Sequence, residues 1–506
     1  MTIRIESDGA LAGIPGWPSG GFPAAGPERI PSYVEAGLLP SLREIYQDNA
    51  LMVGLGPRIT GSRAHDDFIG WLHEQFQRNG CDVLPYAYSP CNLWEALSWG
   101  VSVLDGRLAG DVPVAAYYPR GGETPDEGLV GRLVDVETAA AAGVDLTDPA
   151  AVAGWLAEVT GEPAAGDPAA PYFLLIDSHL PEVGSRADLD AETGVFHRQP
   201  GDDDTPWKTL WDRKLWKAVA AAPGARAAAG VVCVVDASYQ ALEGNYVPPL
   251  AGYLGIPALY VDREAGTRLR RAATTAPRIR FTMTARRTAT RTPSIVAVLP
   301  GDGGTDRTLI CNTHSDGTNF VEENGAVALV EIARYLNALR LRGRGLRHTV
   351  VFSAVTGHFN GDPARFPETE GFIADHPDLV GRATAALTLE HLGVTEWLDD
   401  EQGYRTTGLP DWGVMWVDER LEKLAVERFD HYDLPNHRLA RRDAPMYAGV
   451  GKAFADIDLP ALSFLSAPTY LLTTPVNGCL DKLDPALMRR QMTWFIDLLH
   501  RLDAQP

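Results

Sequence analysis

Residues 308–324 read Thr308-Leu-Ile-Cys-Asn-Thr-His314-Ser-Asp316-Gly-Thr-Asn-Phe-Val-Glu322-Glu323-Asn324. The opening Thr308-Leu-Ile-Cys311 is a short apolar run of buried-strand type, and a polar loop follows it. From about Asn324 to Leu339 the apolar residues recur at helical spacing. Strand, polar loop and helix make up the repeating unit of a parallel sheet with crossover helices. The same unit recurs around it: Ser294-Ile-Val-Ala-Val-Leu299 precedes it, and Thr349-Val-Val-Phe-Ser-Ala354 and Ala385-Ala-Leu-Thr-Leu389 follow. The expected fold class is therefore α/β, with a mostly parallel (mixed) central sheet and helices on both faces. Such sheets bind ligands at the carboxyl ends of their strands, so the residues just past each strand are where chemistry is expected.

Working outward, residues 31–97 show helical apolar spacing, as in Leu38/Leu39/Leu42/Ile45/Tyr46 and Phe68/Leu72/Phe76. Gly54-Leu-Gly-Pro-Arg-Ile-Thr-Gly-Ser62 breaks the run. Residues 1–30 are rich in Gly and Pro and read as an irregular arm. Between about Asp105 and Arg286 short apolar runs, Tyr172-Phe-Leu-Leu-Ile-Asp177 and Val231-Val-Cys-Val-Val-Asp236, alternate with Ala-rich segments and loops. That pattern predicts a smaller α/β domain over 106–285 inserted into a larger one made of 31–105 and 286–506. Within the insert Trp207, Trp211, Leu215 and Trp216 read as a core or interface stripe, and the preceding Gly201-Asp-Asp-Asp204 as a solvated loop or helix start.

With 506 residues, 45% of them apolar and 22% charged, the chain has the composition of a folded protein of two or three domains. Its formal charge of −21 opposes binding to nucleic acid or anionic lipid. No apolar run approaches the roughly 20 residues of a membrane helix, and the N-terminus lacks the basic and apolar regions of an export signal. Five cysteines without C-x-x-C spacing argue against a disulfide framework or thiolate zinc site, and fit a cytoplasmic location.

Four clusters of ligand-type groups stand at the strand ends: His314 with Asp316, Glu322 with Glu323, His358 after Thr356-Gly357, and Glu390-His391. Taken singly, each His reads as a hydrogen-bonded core residue and each Glu as a helix-dipole or salt-bridge group. Taken together they are the imidazoles and carboxylates that Zn²⁺ and related ions select when thiolates are absent, and burying so many ionisable groups without a task is costly. His431 and His437, in a polar stretch, read as surface residues rather than ligands.

The order of these motifs resembles the di-zinc aminopeptidase family that also includes glutaminyl cyclases, glutamate carboxypeptidase, transferrin receptor and nicastrin. Leu55-Gly-Pro-Arg-Ile-Thr-Gly-Ser62 resembles the family's opening segment. Residues around 170–265, ending in Gly255-Ile-Pro-Ala-Leu-Tyr-Val261, resemble its protease-associated insert. His314-x-Asp316 and the closing Asp481-Lys-Leu-Asp484 complete the series. The resemblance implies a metal ligand at His314. It also implies departures. The bridging aspartate has only Glu322 or Glu323 as a substitute, and the adjacent base and ligand glutamates fall on Gly357-His358. The next aspartate ligand falls on Glu390, and the last histidine on Thr473.

The altered positions still offer His or Glu, which favours a rebuilt site over an abandoned one. The expectation is one divalent metal ion, zinc by ligand type, held by His314, Glu322, His358 and Glu390. Glu323, Asp316 and His391 are the expected catalytic residues, with the Asp316 carboxylate orienting His314. The function implied is metal-dependent hydrolysis of an amide or peptide-like bond in a small-molecule or peptide substrate, with homo-oligomerisation compatible. Two alternatives stand beside it: acyl transfer or cyclisation of the glutaminyl cyclase type, and a non-catalytic binding protein.

Overall fold

The computed structural model describes residues 29–505 except 146–147, 161–170, 179–181, 202–205, 209–227, 247–252, 276–277 and 361–367. Asp202-Asp-Asp204, Trp211, Leu215 and Trp216 lie outside the described residues. Of Trp207 only the backbone strand Pro206–Lys208 is described.

The larger sheet has nine strands in the order Asp82–Val83, Ile295–Leu299, Thr349–Val355, Thr308–His314, Ala383–Leu389, Ala461–Ser466, Gly413–Val417, His437–Arg441 and Val195–Arg198. Thr349–Val355, Thr308–His314, Ala383–Leu389 and Ala461–Ser466 run parallel to one another, while both flanks include antiparallel pairs. The central strands are buried along their length, as a sheet covered on both faces requires.

The helix Phe320–Leu341 crosses one face and is buried on nearly every side. It starts four residues earlier than the apolar spacing places it, because Asn319 caps it. The Asn319 side chain accepts from Val321 N at 2.8 Å and donates to the carbonyls of Tyr470, Leu471 and Thr473. Glu322 and Glu323 thereby fall in the first turn, where the helix dipole favours carboxylates. Helices Leu42–Gly54, Arg63–Arg78 and Pro485–Asp503 pack in the same core.

A second sheet has eight strands, in the order Gly110–Val112, Tyr88–Val103, Arg278–Pro293, Leu129–Asp135, Tyr172–Ser178, Gly230–Val235, Ala258–Val261 and Ala116–Tyr117. Its two longest members, Tyr88–Val103 and Arg278–Pro293, pair over their whole length and lead from one sheet to the other. The helical spacing read as far as residue 97 therefore ends at Arg78, and the stretch from Tyr88 is strand. The chain also returns from the second sheet to the first, where Val195–Arg198 forms the far edge. Among the described residues no helix is long and apolar enough to cross a membrane.

Candidate metal centre

Three neighbouring strands end at one place. His314 closes its strand in register with Val355, Glu390 follows Leu389 directly, and Gly357-His358 lie just past Val355. Glu322 enters from the first turn of the capped helix. All of these are buried at 0–1% exposure except His391 at 4% and His358, whose side chain is 31% exposed and so stands at the mouth.

His314 Nδ1 donates to the Asp316 backbone carbonyl at 2.9 Å, and His391 Nδ1 donates to Ser466 O at 2.6 Å. A carbonyl only accepts, so in both rings Nδ1 carries the proton and Nε2 keeps its lone pair. His314 Nε2 is 3.7 Å from Glu322 Oε2 and 3.7 Å from Glu390 Oε2, and His391 Nε2 is 3.7 Å from Glu322 Oε2. None of these is a hydrogen bond. His314 Nε2, Glu322 Oε2 and His391 Nε2 are buried without a hydrogen-bond partner, and ligand atoms of the three residues lie within 4.8 Å of one another. Donors bound at about 2.1 Å to one tetrahedral ion stand roughly 3.4 Å apart, so the set fits a divalent metal in spacing and in donor type.

The converging imidazole is thus His391 and not His358. His391 is aimed by its backbone, which takes the left-handed φ of +58° that few residues with a β-carbon adopt. Glu390 also presents Oε1 to Val450 N at 3.0 Å. His358 stacks on His314, ring centroids 4.5 Å apart, and its Nδ1 is 3.2 Å from Glu368 Oε1.

Two expected roles are altered by the packing. Asp316 orients His314 through its backbone carbonyl. Its carboxylate is turned away, where Oδ2 accepts from Thr60 Oγ1 and from the backbone N–H of Gly357 and Phe359. Glu323 forms a fully buried ion pair with Arg58, whose guanidinium also binds the carbonyls of Gly56 and Asn319. A Cβ at Gly317 would collide with the Glu323 carboxylate, which explains a glycine there. Thr473 donates to Tyr470 O at 2.8 Å, and His437, read as a surface residue, is buried between Pro435 O and Gln491.

Burial dominates the electrostatics. It pushes the Glu390 and Glu323 carboxyls up to about 7, the latter despite Arg58. It also lowers His314 to about 4, helped by the charge of His358. Around His358 burial is outweighed by Glu368, Glu322 and Asp316, which lift the imidazole to about 10. Burial likewise opposes the charged forms of Glu322 and His391, but the charge of each outweighs it at the other, so the Glu322 carboxyl is lowered and the His391 imidazole raised.

Sequence reasoning did not single out Arg58, Thr60, Glu368 and Ser466. Arg58 and Thr60 sit in the Gly-rich break 54–62, and Glu368 in the helix-start signal Pro367-Glu-Thr-Glu370. Ser466 acts through its backbone carbonyl, which carries no residue signal.

No family model matches the sequence, and no curated protein matches it. Solved structures do. A zinc aminopeptidase from Bacillus subtilis aligns over 92% of this chain and 96% of its own at 13% identity, TM-score 0.59. A peptidase M28 precursor from Shewanella amazonensis SB2B aligns over 92% and 96% at 13%, TM-score 0.58. An aminopeptidase from Aneurinibacillus sp. strain AM-1 aligns over 92% and 94% at 14%, TM-score 0.53. The fold is therefore that of the aminopeptidase-like peptidases.

Proposed function

We propose that the protein is a metal-dependent hydrolase of an amide or peptide-like bond, built around one divalent ion, zinc by ligand type. The observation that carries this reading is the convergence of His314 Nε2, Glu322 Oε2 and His391 Nε2, three buried donor atoms with no partner. Leaving each unpaired costs about 1–3 kcal/mol, which a shared cation removes. Glu390, with Oε2 3.7 Å from His314 Nε2, is the fourth residue positioned to hold it. When bound, such an ion polarises a carbonyl and acidifies water.

The chain's own groups do the rest. The carbonyls of Asp316 and Ser466 fix the His314 and His391 rings. Glu323 with Arg58, and Asp316 with Thr60, hold the helix N-terminus and the strand-end loops in place. His358, at the mouth with Nδ1 on Glu368, is the group placed to give or take a proton at its remaining nitrogen. Gly357, where the family resemblance puts a carboxylate base, favours one second reading: acyl transfer or cyclisation, in which no water is activated.

Elemental analysis tests the metal. The purified chain should hold about one divalent ion, and less than about a tenth of an equivalent with no uptake of Zn²⁺, Mn²⁺, Fe²⁺ or Co²⁺ overturns the reading. Turnover of a panel of dipeptides and aminoacyl amides then separates the two chemistries. Hydrolysis yields a new amine together with a new carboxylate, whereas cyclisation yields no carboxylate.

A further inference from the structure

A cavity of about 280 Å³ lies where the short helix Tyr239–Leu242, which follows a strand of the second sheet, meets the 470–482 loop and the hairpin Thr395–Asp400 with Gly403–Pro410. Two backbone bonds hold this seam together: Thr474 N donates to Gly244 O at 2.8 Å, and Tyr246 N donates to Leu472 O at 2.6 Å. Clefts between packed units are where small-molecule sites commonly form.

The cavity wall is aromatic and already holds a positive charge. The Lys482 ammonium lies 4.4 Å from the ring centroid of Trp397, 5.3 Å from that of Tyr404 and 5.4 Å from that of Tyr470. Thr395 fixes two of these rings: its hydroxyl accepts from Trp397 Nε1 at 3.3 Å and its carbonyl from Tyr470 Oη at 2.6 Å. Lys482 Nζ also donates to Asp481 Oδ2 at 3.1 Å, and Asn477 Nδ2 donates to Asp481 Oδ1 at 2.7 Å. Asp481 and Lys482 therefore neutralise each other, and Glu243 is left over. Its carboxylate belongs to a half-buried residue and has no hydrogen bond or ion pair among the described residues. Burial pushes the Cys479 thiol in the same wall up to about 11; Lys482 opposes the rise, while the charges of Asp481 and Glu243 add to it. Two carboxylates against one ammonium give the lining a net negative charge, so the cavity favours a cation.

We propose that this cavity binds an organic cation, a primary ammonium carried on an apolar body. The ammonium pairs with Glu243, and the body lies against the wall that Trp397 and Tyr404 form. None of the four residues that converge on the metal lines the cavity, so this inference stands or falls separately from the proposed hydrolysis.

Calorimetric titration of the whole protein at neutral pH with benzylammonium, and separately with benzyl alcohol and with benzoate, tests it. Benzylammonium should bind at least about tenfold more tightly than either, because neither can form the charge-assisted pair with Glu243. Glu243→Gln keeps the shape of the side chain and should lose that preference by a similar factor. Lys482→Met leaves an apolar chain on the rings and frees Asp481, so it should bind benzylammonium about threefold more tightly or better. The two variants thus move affinity in opposite directions, which a general loss of folding does not do. Equal binding of the three probes, undiminished benzylammonium binding by Glu243→Gln, or weaker binding by Lys482→Met overturns the proposal. Binding abolished by a metal chelator in the native protein would place the amine at the metal centre and overturn it as well.

Discussion

His391 shows how one side chain acquires a role through its backbone. Its left-handed φ of +58° costs on the order of 1 kcal/mol or more, and two partners hold it. The next residue, Leu392, exchanges both backbone hydrogen bonds with the Asn324 amide at 2.9 and 2.6 Å, and Ser466 O takes the ring proton. Spacing along a sequence carries no sign of φ, so Glu390-His391 was legible as a ligand-type cluster while the division of labour between His391 and His358 was not. His391→Ala should therefore lower metal affinity at least about tenfold, whereas His358→Ala should keep its metal and lose turnover. Metal content and rate measured on both variants decide; loss of metal from His358→Ala alone would return the ligand role to that residue. Glu323 supplies a second test at this scale. With Arg58 buried against it, Glu323→Gln leaves a guanidinium without its counter-charge, and the expected loss is about 3 kcal/mol of stability. Denaturant unfolding checks this, and an unchanged midpoint would mean that Glu323 is free to act as a base.

The strand and helix units of the larger sheet were legible because each is a long apolar run with a polar end, and the observed elements Ile295–Leu299, Thr308–His314, Thr349–Val355 and Ala383–Leu389 coincide with those readings to within two or three residues. Val195–Arg198 was not legible. Four residues, Val-Phe-His-Arg, give too short a pattern to assign, and only tertiary packing places them on the far edge of the larger sheet. The hairpin Thr395–Asp400 with Gly403–Pro410 was not assigned from the sequence either. Packing of helix on sheet yields a sharper expectation at Gly325, near the start of the Phe320–Leu341 helix. In an isolated helix Gly→Ala is worth about 1 kcal/mol of stabilisation. Here a Cβ would collide with Leu389 O and Thr313 Oγ1, so the helix must lift from the strands that carry His314 and Glu390. Gly325→Ala should cost about 1–3 kcal/mol and weaken metal binding as well, since Glu322 rides on the same turn. Melting temperature and metal content measured together test this; a stabilised variant with native metal content would show that the helix is free to shift.

Buried His65, His314 and His437, each lowered to about 4, make stability rise with pH up to about 6.5. Two opposing causes, which make it fall between about 4 and about 8, must be separated. One is self-repulsion of a chain that reaches a net charge of −21 at neutral pH. The other is local. Asp48 on the Leu42–Gly54 helix and Glu331 on the Phe320–Leu341 helix face each other, with Glu44 and Arg334 as their charged neighbours. Three carboxyls meet one guanidinium there. Burial, and then the neighbouring carboxylates, raise Asp48 to about 6 and Glu331 to about 8, so the folded pair retains a proton that the unfolded chain releases near pH 4. A folded-state carboxyl pKa above the unfolded one means that the native state binds more protons in this window, and stability declines as pH rises through it. The two causes respond differently to salt. Surface repulsion is screened within about 8 Å at physiological ionic strength and further at 1 M, whereas a pair buried between two helices is screened far less. At 1 M salt the native protein should still lose melting temperature between about pH 6.5 and pH 8, above the range in which the histidines act. Glu331→Gln, which replaces the retained proton with an amide donor to Asp48, should flatten that slope and be the more stable protein at pH 8. Parallel slopes for the two proteins at 1 M salt would assign the pH dependence to net charge and remove the shared proton from the account.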